Sequence, residues 1–102
     1  MKKILLVCNL GMSTSMLVQR MESAALKRNI EVQIEAVPFT VAEKVVDEWD
    51  IVLLGPQVRH QLAGVKAASN GTTPVELINM RDYGIMDGEK VLSFALDLIE
   101  KQ

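Results

Sequence analysis

The chain has 102 residues, 49% hydrophobic and 24% charged, a composition typical of one soluble globular domain spanning residues 1–102. A net charge of −2 supplies no basic surface for phosphate backbones, so a nucleic-acid partner is not expected. The apolar runs are too short for a signal peptide or direct membrane insertion, and a single cysteine fits a reducing compartment, so we expect a cytoplasmic protein.

Four short apolar runs predict β-strands at residues 4–7, 32–37, 51–54 and 75–78. Segments with helical spacing separate these strands, and the connections are too long for hairpins. The strands are therefore expected to form one parallel sheet with helices on both faces. The expected fold class is α/β, flavodoxin-like or Rossmann-like, with four strands in the order 2-1-3-4.

Turn and capping residues place the ends of the helices. A first helix follows a loop at residues 8–15 and closes near Asn29. A second begins at a capping box formed by Thr40 and Glu43. Its buried side is predicted to hold three valines: Val41, Val45 and Val46. A third runs from the turn at residues 55–56 to residues 70–71. A fourth follows Asp87-Gly88, and Asp87 is expected to cap it.

Cys8 stands where the first apolar run ends and a small, hydroxyl-rich loop begins. The residues that follow it are Asn9, Leu10, Gly11, Met12, Ser13, Thr14 and Ser15. A loop of this kind between a strand and a helix directs backbone N–H groups and the positive end of the helix dipole at the sulfur. Such surroundings stabilise a thiolate and bind phosphate. The pattern predicts phosphocysteine chemistry at Cys8, with residues 9–15 around the phosphate and no metal or organic cofactor.

Ligands of a doubly wound sheet bind beyond the carboxyl ends of its strands. Three segments are expected to meet there: residues 8–15, residues 55–57 and residues 79–88, of which the last is predicted to be a loop. Gln57, Asp82, Tyr83 and Asp87 lie in these segments, and the residue pattern leaves their roles open.

The segment from Cys8 to Leu17, CNLGMSTSML, resembles the active loop of the lactose- and cellobiose-type IIB components of the bacterial phosphoenolpyruvate-dependent sugar phosphotransferase system. The segment IVLLGPQ at residues 51–57 and the pairs Tyr83-Gly84 and Asp87-Gly88 resemble further parts of that family, so the resemblance spans nearly the whole chain.

This resemblance implies a cytosolic phosphoryl carrier. Cys8 would accept a phosphoryl group from a phosphohistidine of a IIA partner and pass it to a sugar bound at the membrane-embedded IIC permease. The implied sugar is a β-linked disaccharide or oligosaccharide. The carrier would meet the inner face of the membrane transiently, through IIC.

Two alternatives remain open from the residues. The loop also resembles, at lower stringency, the low-molecular-weight tyrosine phosphatases, which hold the phosphate with an Arg six residues after the cysteine and use an Asp as general acid. Thr14 occupies the position of that Arg here, and Asp82 and Asp87 are candidates for the acid. The second alternative is a non-catalytic redox or regulatory domain in which oxidants modify Cys8.

Overall fold

The four strands form one parallel sheet in the order β2-β1-β3-β4. The computed structural model describes residues 1–9 and 12–101. The strands are β1 (Lys2–Val7), β2 (Val32–Val37), β3 (Ile51–Leu54) and β4 (Val75–Leu77). The predicted fold class and strand order are confirmed. β1 begins two residues earlier than predicted, and β4 ends one residue earlier.

The central strand β1 is buried on both faces. Ile4, Leu5, Leu6 and Val7 are each at most 1% exposed, because β1 lies between β2 and β3 under two helical layers. Ile4 and Leu6 pack into one layer, and Leu5 and Val7 pack into the other. A strand buried on both faces needs apolar residues at every position, which explains its unbroken apolar run.

Helices cover both faces of the sheet. The helices are α1 (Met12–Lys27), α2 (Phe39–Val45), α3 (Leu62–Ser69), α4 (Met80–Gly84) and α5 (Gly88–Glu100). α1 and α5 cover one face, where Leu17, Met21 and Leu92 are completely buried. α2 and α3 cover the other face, with Ala42 and Val65 in its core. No helix within the described residues has the length and apolar character needed to span a membrane.

The capping box predicted at Thr40 is wrong. α2 begins at Phe39, and Pro38 occupies the N-cap position with φ −74° and ψ 164° and no side-chain cap. The carbonyl of Pro38 accepts hydrogen bonds from the N–H groups of Val41 and Ala42, at 3.1 and 3.0 Å. Because the proline already starts the helix, Thr40 falls inside the first turn. Ala42 then faces the core, whereas Val41, predicted to be buried, is 43% exposed.

The predicted third helix is divided in two. Pro56–Gln61 forms a 3₁₀ helix, in which Val58 departs from helical angles with φ −115° and ψ 21°, and α3 follows it. Val58 is completely buried, so core packing overrides the regular helical geometry here. The predicted end is confirmed, because Asn70 closes α3 in the left-handed conformation with φ 49°.

The segment predicted as a loop at residues 79–88 contains the short helix α4. Asn79 caps it: its Oδ1 accepts hydrogen bonds from the N–H groups of Arg81 and Asp82, at 2.9 and 3.1 Å. An asparagine before a helix of only five residues leaves little periodic signal, so the sequence did not reveal this turn.

α5 begins at Gly88, directly after the cap that the sequence predicts at Asp87. Asp87 is its N-cap, and the Oδ1 atom of Asp87 accepts a hydrogen bond from the N–H of Lys90 at 3.1 Å. Gly88 follows at the point where α5 comes nearest to α1. A Cβ atom on Gly88 would lie 2.5 Å from the backbone carbonyl carbon of Arg20, so the two helices pack this closely only because residue 88 is glycine.

Candidate functional site

Backbone hydrogen bonds hold Cys8 at the carboxyl edge of the sheet. Cys8 is the first residue beyond β1, and its N–H donates to the carbonyl of Val37, the last residue of β2, at 3.1 Å. On the other side, the N–H of Gly55 donates to the carbonyl of Val7 at 3.0 Å. The chain entering the predicted phosphate loop is therefore fixed by β2 and by the residue that follows β3.

Cys8 combines a nearly buried position with the start of a long helix. The residue is 7% exposed and its thiol is free, while the next residue, Asn9, is exposed. α1 starts at Met12, four positions after Cys8, and is 16 residues long. The first turn of a helix carries N–H groups without an intrahelical acceptor and the positive end of the helix dipole.

The structure describes part of the predicted phosphate-binding segment. Leu10 and Gly11 lie outside the described residues, as do the side chains of Met12 and Ser13. The sequence places residues 12–15 in a loop, but the structure places them in the first turn of α1. Their backbone N–H groups therefore belong to a helix N-terminus.

The side chains of Thr14 and Ser15 have different surroundings. The Thr14 residue is 3% exposed, and its Oγ1 lies within hydrogen-bond distance, 3.0 Å, of the hydroxyl oxygen of Tyr83. Ser15 is exposed and lines a surface cleft with Glu35 and Ala36 of β2. The hydroxyl at the sixth position after the cysteine is thus engaged inside the protein.

Tyr83, to which the sequence assigned no role, lies at the centre of the contacts at this edge. It lies in α4, is 6% exposed and packs in the core beneath α1 and α5. Its ring also lies against Gly55: a Cβ atom there would be 3.3 Å from Cε2 of Tyr83 and 2.9 Å from Oε1 of Gln57. The sequence signals were an aromatic residue in the late segment and a glycine after β3, but no local pattern pairs Thr14 with a residue 69 positions away.

The three segments predicted to converge do meet in their described parts. Thr14, from the first segment, contacts Tyr83 of the third, and Gly55 of the second packs against the same ring. Asp87 also belongs to the third segment, but its Oδ1 caps α5. This candidate acid of the phosphatase alternative therefore has a structural role.

A cleft of about 390 Å³ lies elsewhere, between α1 and the start of α5. Arg20 lines it and donates from Nη1 to the carbonyl of Met86 at 3.1 Å and to that of Ile85 at 3.4 Å. Neither Cys8 nor Asn9 lines this cleft. This cleft lies where Arg20 joins α1 to the segment before α5, and it is separate from the predicted site.

A cysteine between a central parallel strand and a helix N-terminus, at the carboxyl edge of an α/β sheet, has surroundings that favour a thiolate and bind phosphate. Comparison with known proteins makes the assignment specific. Residues 3–94 match the family model described as PTS system, Lactose/Cellobiose specific IIB subunit. The chain belongs to this family of sugar phosphotransferase IIB components.

Individual relatives match over nearly their full length. The chain is 41% identical over 103 residues to the PTS system oligo-beta-mannoside-specific EIIB component of Bacillus subtilis, covering 100% of both chains. It is 38% identical over 104 residues to the PTS system galactose-specific EIIB component of Lactococcus lactis subsp. cremoris, covering 96% of each. The solution structure of the cellobiose-specific IIB component of Borrelia burgdorferi superposes with a TM-score of 0.82 at 46% identity, covering 98% of this chain and 93% of that one.

These findings confirm the family and the general function that the resemblance implied, while the role of Cys8 stays a prediction. The protein is a phosphoryl carrier of a sugar phosphotransferase system, and it acts as the IIB component beside the IIA and IIC components of that system. The phosphatase and redox alternatives for the whole protein are therefore set aside.

Proposed function

We propose that Cys8 is the residue that carries the phosphoryl group. The observation that supports this proposal is its position: the backbone of Cys8 is hydrogen-bonded to β2, and the N-terminus of α1 follows four positions later. It is also the single cysteine in a chain of 102 residues. A thiolate at this position is the strongest nucleophile that the segment offers.

In the proposed first step, the Cys8 sulfur attacks the phosphorus of a phosphohistidine on IIA in line with the P–N bond. The S–P bond forms as the P–N bond breaks, and the histidine nitrogen leaves with the electron pair. The imidazole takes up one proton, which balances the proton that the Cys8 thiol released to solvent on forming the thiolate. In the second step a sugar hydroxyl attacks the phosphorus, loses its proton to solvent or to a base of the permease, and the thiolate leaves. The domain contributes positioning and electrostatic stabilisation, without a metal or organic cofactor.

We propose that the phosphoryl oxygens are held by the loop and first-turn segment after Cys8, residues 9–15. Backbone N–H groups are the expected donors, because the N–H groups of a helix's first turn have no intrahelical acceptor. The Thr14 hydroxyl is engaged with Tyr83, so Thr14 would contribute through its backbone rather than its side chain. The exposed side chains of Asn9 and Ser15 remain available to a phosphoryl group or a docking partner.

The proposed phosphoryl donor is the phosphohistidine of IIA, and the proposed acceptor is a sugar bound at the IIC permease. The carrier would be cytoplasmic and would associate with the inner face of the membrane only through IIC. We further propose that the sugar is a β-linked disaccharide or oligosaccharide. The support is the oligo-beta-mannoside name of the Bacillus subtilis relative and the cellobiose name of the Borrelia burgdorferi structure. The galactose name of another relative identifies the competing substrate class.

Intact mass spectrometry tests the role of Cys8. The protein and its Cys8→Ser variant would be incubated with phosphoenolpyruvate, the two general phosphotransferase proteins and a purified lactose/cellobiose-type IIA. We expect the wild-type protein to gain one phosphoryl group and the variant to gain none. A phosphorylated Cys8→Ser variant would refute the assignment, and so would an unmodified wild-type protein beside a fully phosphorylated IIA.

Sugar specificity is tested with the isolated phosphocysteine protein. It would be added to inverted membrane vesicles that contain either a cellobiose-specific or a galactose-specific IIC, each with its labelled sugar. Formation of cellobiose phosphate but not galactose phosphate would support a β-linked disaccharide as the phosphoryl acceptor. The reverse preference would contradict that proposal and leave the role of Cys8 unaffected.

A further inference from the structure

Tyr83 connects the two ends of the segment that contains Cys8. On the entering side, Gly55 donates a hydrogen bond to the carbonyl of Val7 at 3.0 Å and packs beneath the Tyr83 ring. On the leaving side, the Tyr83 hydroxyl lies 3.0 Å from Oγ1 of Thr14, in the first turn of α1. The Tyr83 side chain therefore contacts Thr14 directly on the leaving side and, on the entering side, the glycine that is hydrogen-bonded to Val7.

Tyr83 is itself held firmly in place. Its N–H donates to the carbonyl of Asn79 at 2.9 Å, and its carbonyl accepts from the N–H of Met86 at 3.0 Å. The N–H of Ile78, just before α4, donates to the carbonyl of Leu54 of β3 at 2.9 Å. These hydrogen bonds fix α4 relative to the sheet. The Tyr83 side chain therefore extends from a hydrogen-bonded helix.

The contact between Thr14 and Tyr83 is also well shielded from water. Thr14 is 3% exposed and Tyr83 is 6% exposed, so each hydroxyl has little access to solvent as a replacement partner. A buried hydroxyl whose partner is removed must find another or stay unpaired at a cost. The pair therefore favours one position of the first turn of α1 relative to the end of β1.

We propose that Tyr83 is a positioning residue for phosphoryl transfer. Through Thr14 it holds the N-terminal turn of α1 at the distance and angle from Cys8 that its backbone N–H groups need to receive the phosphoryl oxygens. Its effect would pass through Thr14 and the backbone of α1. This inference rests on the proposed role of Cys8, because it concerns the geometry around that sulfur.

The test compares the rate of phosphoryl transfer to Cys8 among variants that lack one or both of the two hydroxyl groups. Tyr83→Phe keeps the ring and removes the hydroxyl, and Thr14→Val removes the other hydroxyl with little change in shape. The double variant and Thr14→Ser, which retains a hydroxyl, complete the set. Transfer from phosphorylated lactose/cellobiose-type IIA to Cys8 would be followed by rapid quench and intact mass at saturating IIA, well below the melting temperature of every variant.

We expect each single deletion to lower the transfer rate about tenfold, less than the roughly hundredfold that a displacement of about 1 Å can cost. Because both deletions break the same contact, the double variant should be no slower than the slower single variant. Thr14→Ser should stay within about twofold of the wild type, since it can restore the contact. Thr14→Val alone provides the test if Tyr83→Phe does not fold.

The inference is overturned if Tyr83→Phe lowers the melting temperature but transfers at the wild-type rate, because Tyr83 would then be structural only. It is also overturned if the two rate losses multiply in the double variant, because the hydroxyls would then act independently. A wild-type protein that accepts no phosphoryl group from phosphorylated IIA would refute the role of Cys8 itself, and this inference with it. That failure is distinct, because it appears before any variant is compared.

Discussion

Replacing Gly88 with alanine tests the closest contact between α1 and α5. The added Cβ atom would lie 2.5 Å from the backbone carbonyl carbon of Arg20, 2.7 Å from its Cβ atom and 2.7 Å from the backbone nitrogen of Met21. Ordinary contacts between carbon atoms are about 3.5–4.0 Å, so the two helices would have to separate by about 1 Å. Two of the three atoms belong to the backbone of α1 and cannot be relieved by a change of rotamer.

The expected cost follows from that geometry. Overpacking a well-packed core typically costs about 1–3 kcal/mol, and a clash with backbone atoms belongs at the upper end of this range. The better helix propensity of alanine offsets at most about 1 kcal/mol. We therefore expect Gly88→Ala to lower the free energy of unfolding by about 2–3 kcal/mol. For a domain of this size the melting temperature should fall by about 10 °C or more.

Gly84 provides the matched control. A Cβ atom on Gly84 would meet nothing within 4 Å, and the residue ends the neighbouring helix α4. Gly84→Ala should leave stability unchanged or raise it by up to about 1 kcal/mol. Urea unfolding followed by circular dichroism would measure both variants, with calorimetry for the melting temperatures. If Gly88→Ala proved as stable as the wild type, the close packing of α1 against α5 would be wrong.

Three further predictions concern stability and are measured by the same unfolding assay. Asp87→Ala removes the N-cap of α5 and should cost about 1 kcal/mol, whereas Asp87→Asn should retain most of the cap; equal stability of the two variants would contradict the capping role. Ser69→Ala removes the hydroxyl that accepts the buried N–H of Thr73 at 3.0 Å, and a loss of about 1–3 kcal/mol is expected; no loss would mean that this N–H has another acceptor. Leu17→Ala should lower the free energy of unfolding by about 2–5 kcal/mol and Leu26→Ala by at most about 0.5 kcal/mol, because these leucines of α1 are 0% and 82% exposed. Similar losses for the two variants would show that the face of α1 assigned to the core is wrong.

Local patterns in the sequence were sufficient to predict the strands, two helix ends and the position of Cys8. Continuous apolar runs such as residues 4–7 identified the buried parallel strands, because a strand covered on both faces has no polar positions. Asp87 predicted a cap, and Asn70 with the following glycine predicted a helix end; both are confirmed. The position of Cys8 at the end of β1 followed from the abrupt change from apolar to small and hydroxyl residues.

Other predictions failed because a competing interaction overrode the local pattern. Thr40 has the spacing of a capping residue, but the carbonyl of Pro38 starts α2 first. Val58 fits a helical pattern, yet its burial produces a 3₁₀ segment. For Val58 the local helix propensity was smaller than the free energy gained by placing the side chain in the core, whereas for Thr40 the competing helix start was itself local.

By itself, the sequence determined the fold class, the family and the candidate cysteine, because these depend on periodicity and on motifs of a few adjacent residues. Only the tertiary structure decided that the Thr14 hydroxyl pairs with Tyr83 and that Gly88 lies against Arg20. Each pair joins residues more than 60 positions apart in the chain. Their contact depends on how helices dock on the finished sheet, and that packing leaves no pattern in either segment alone.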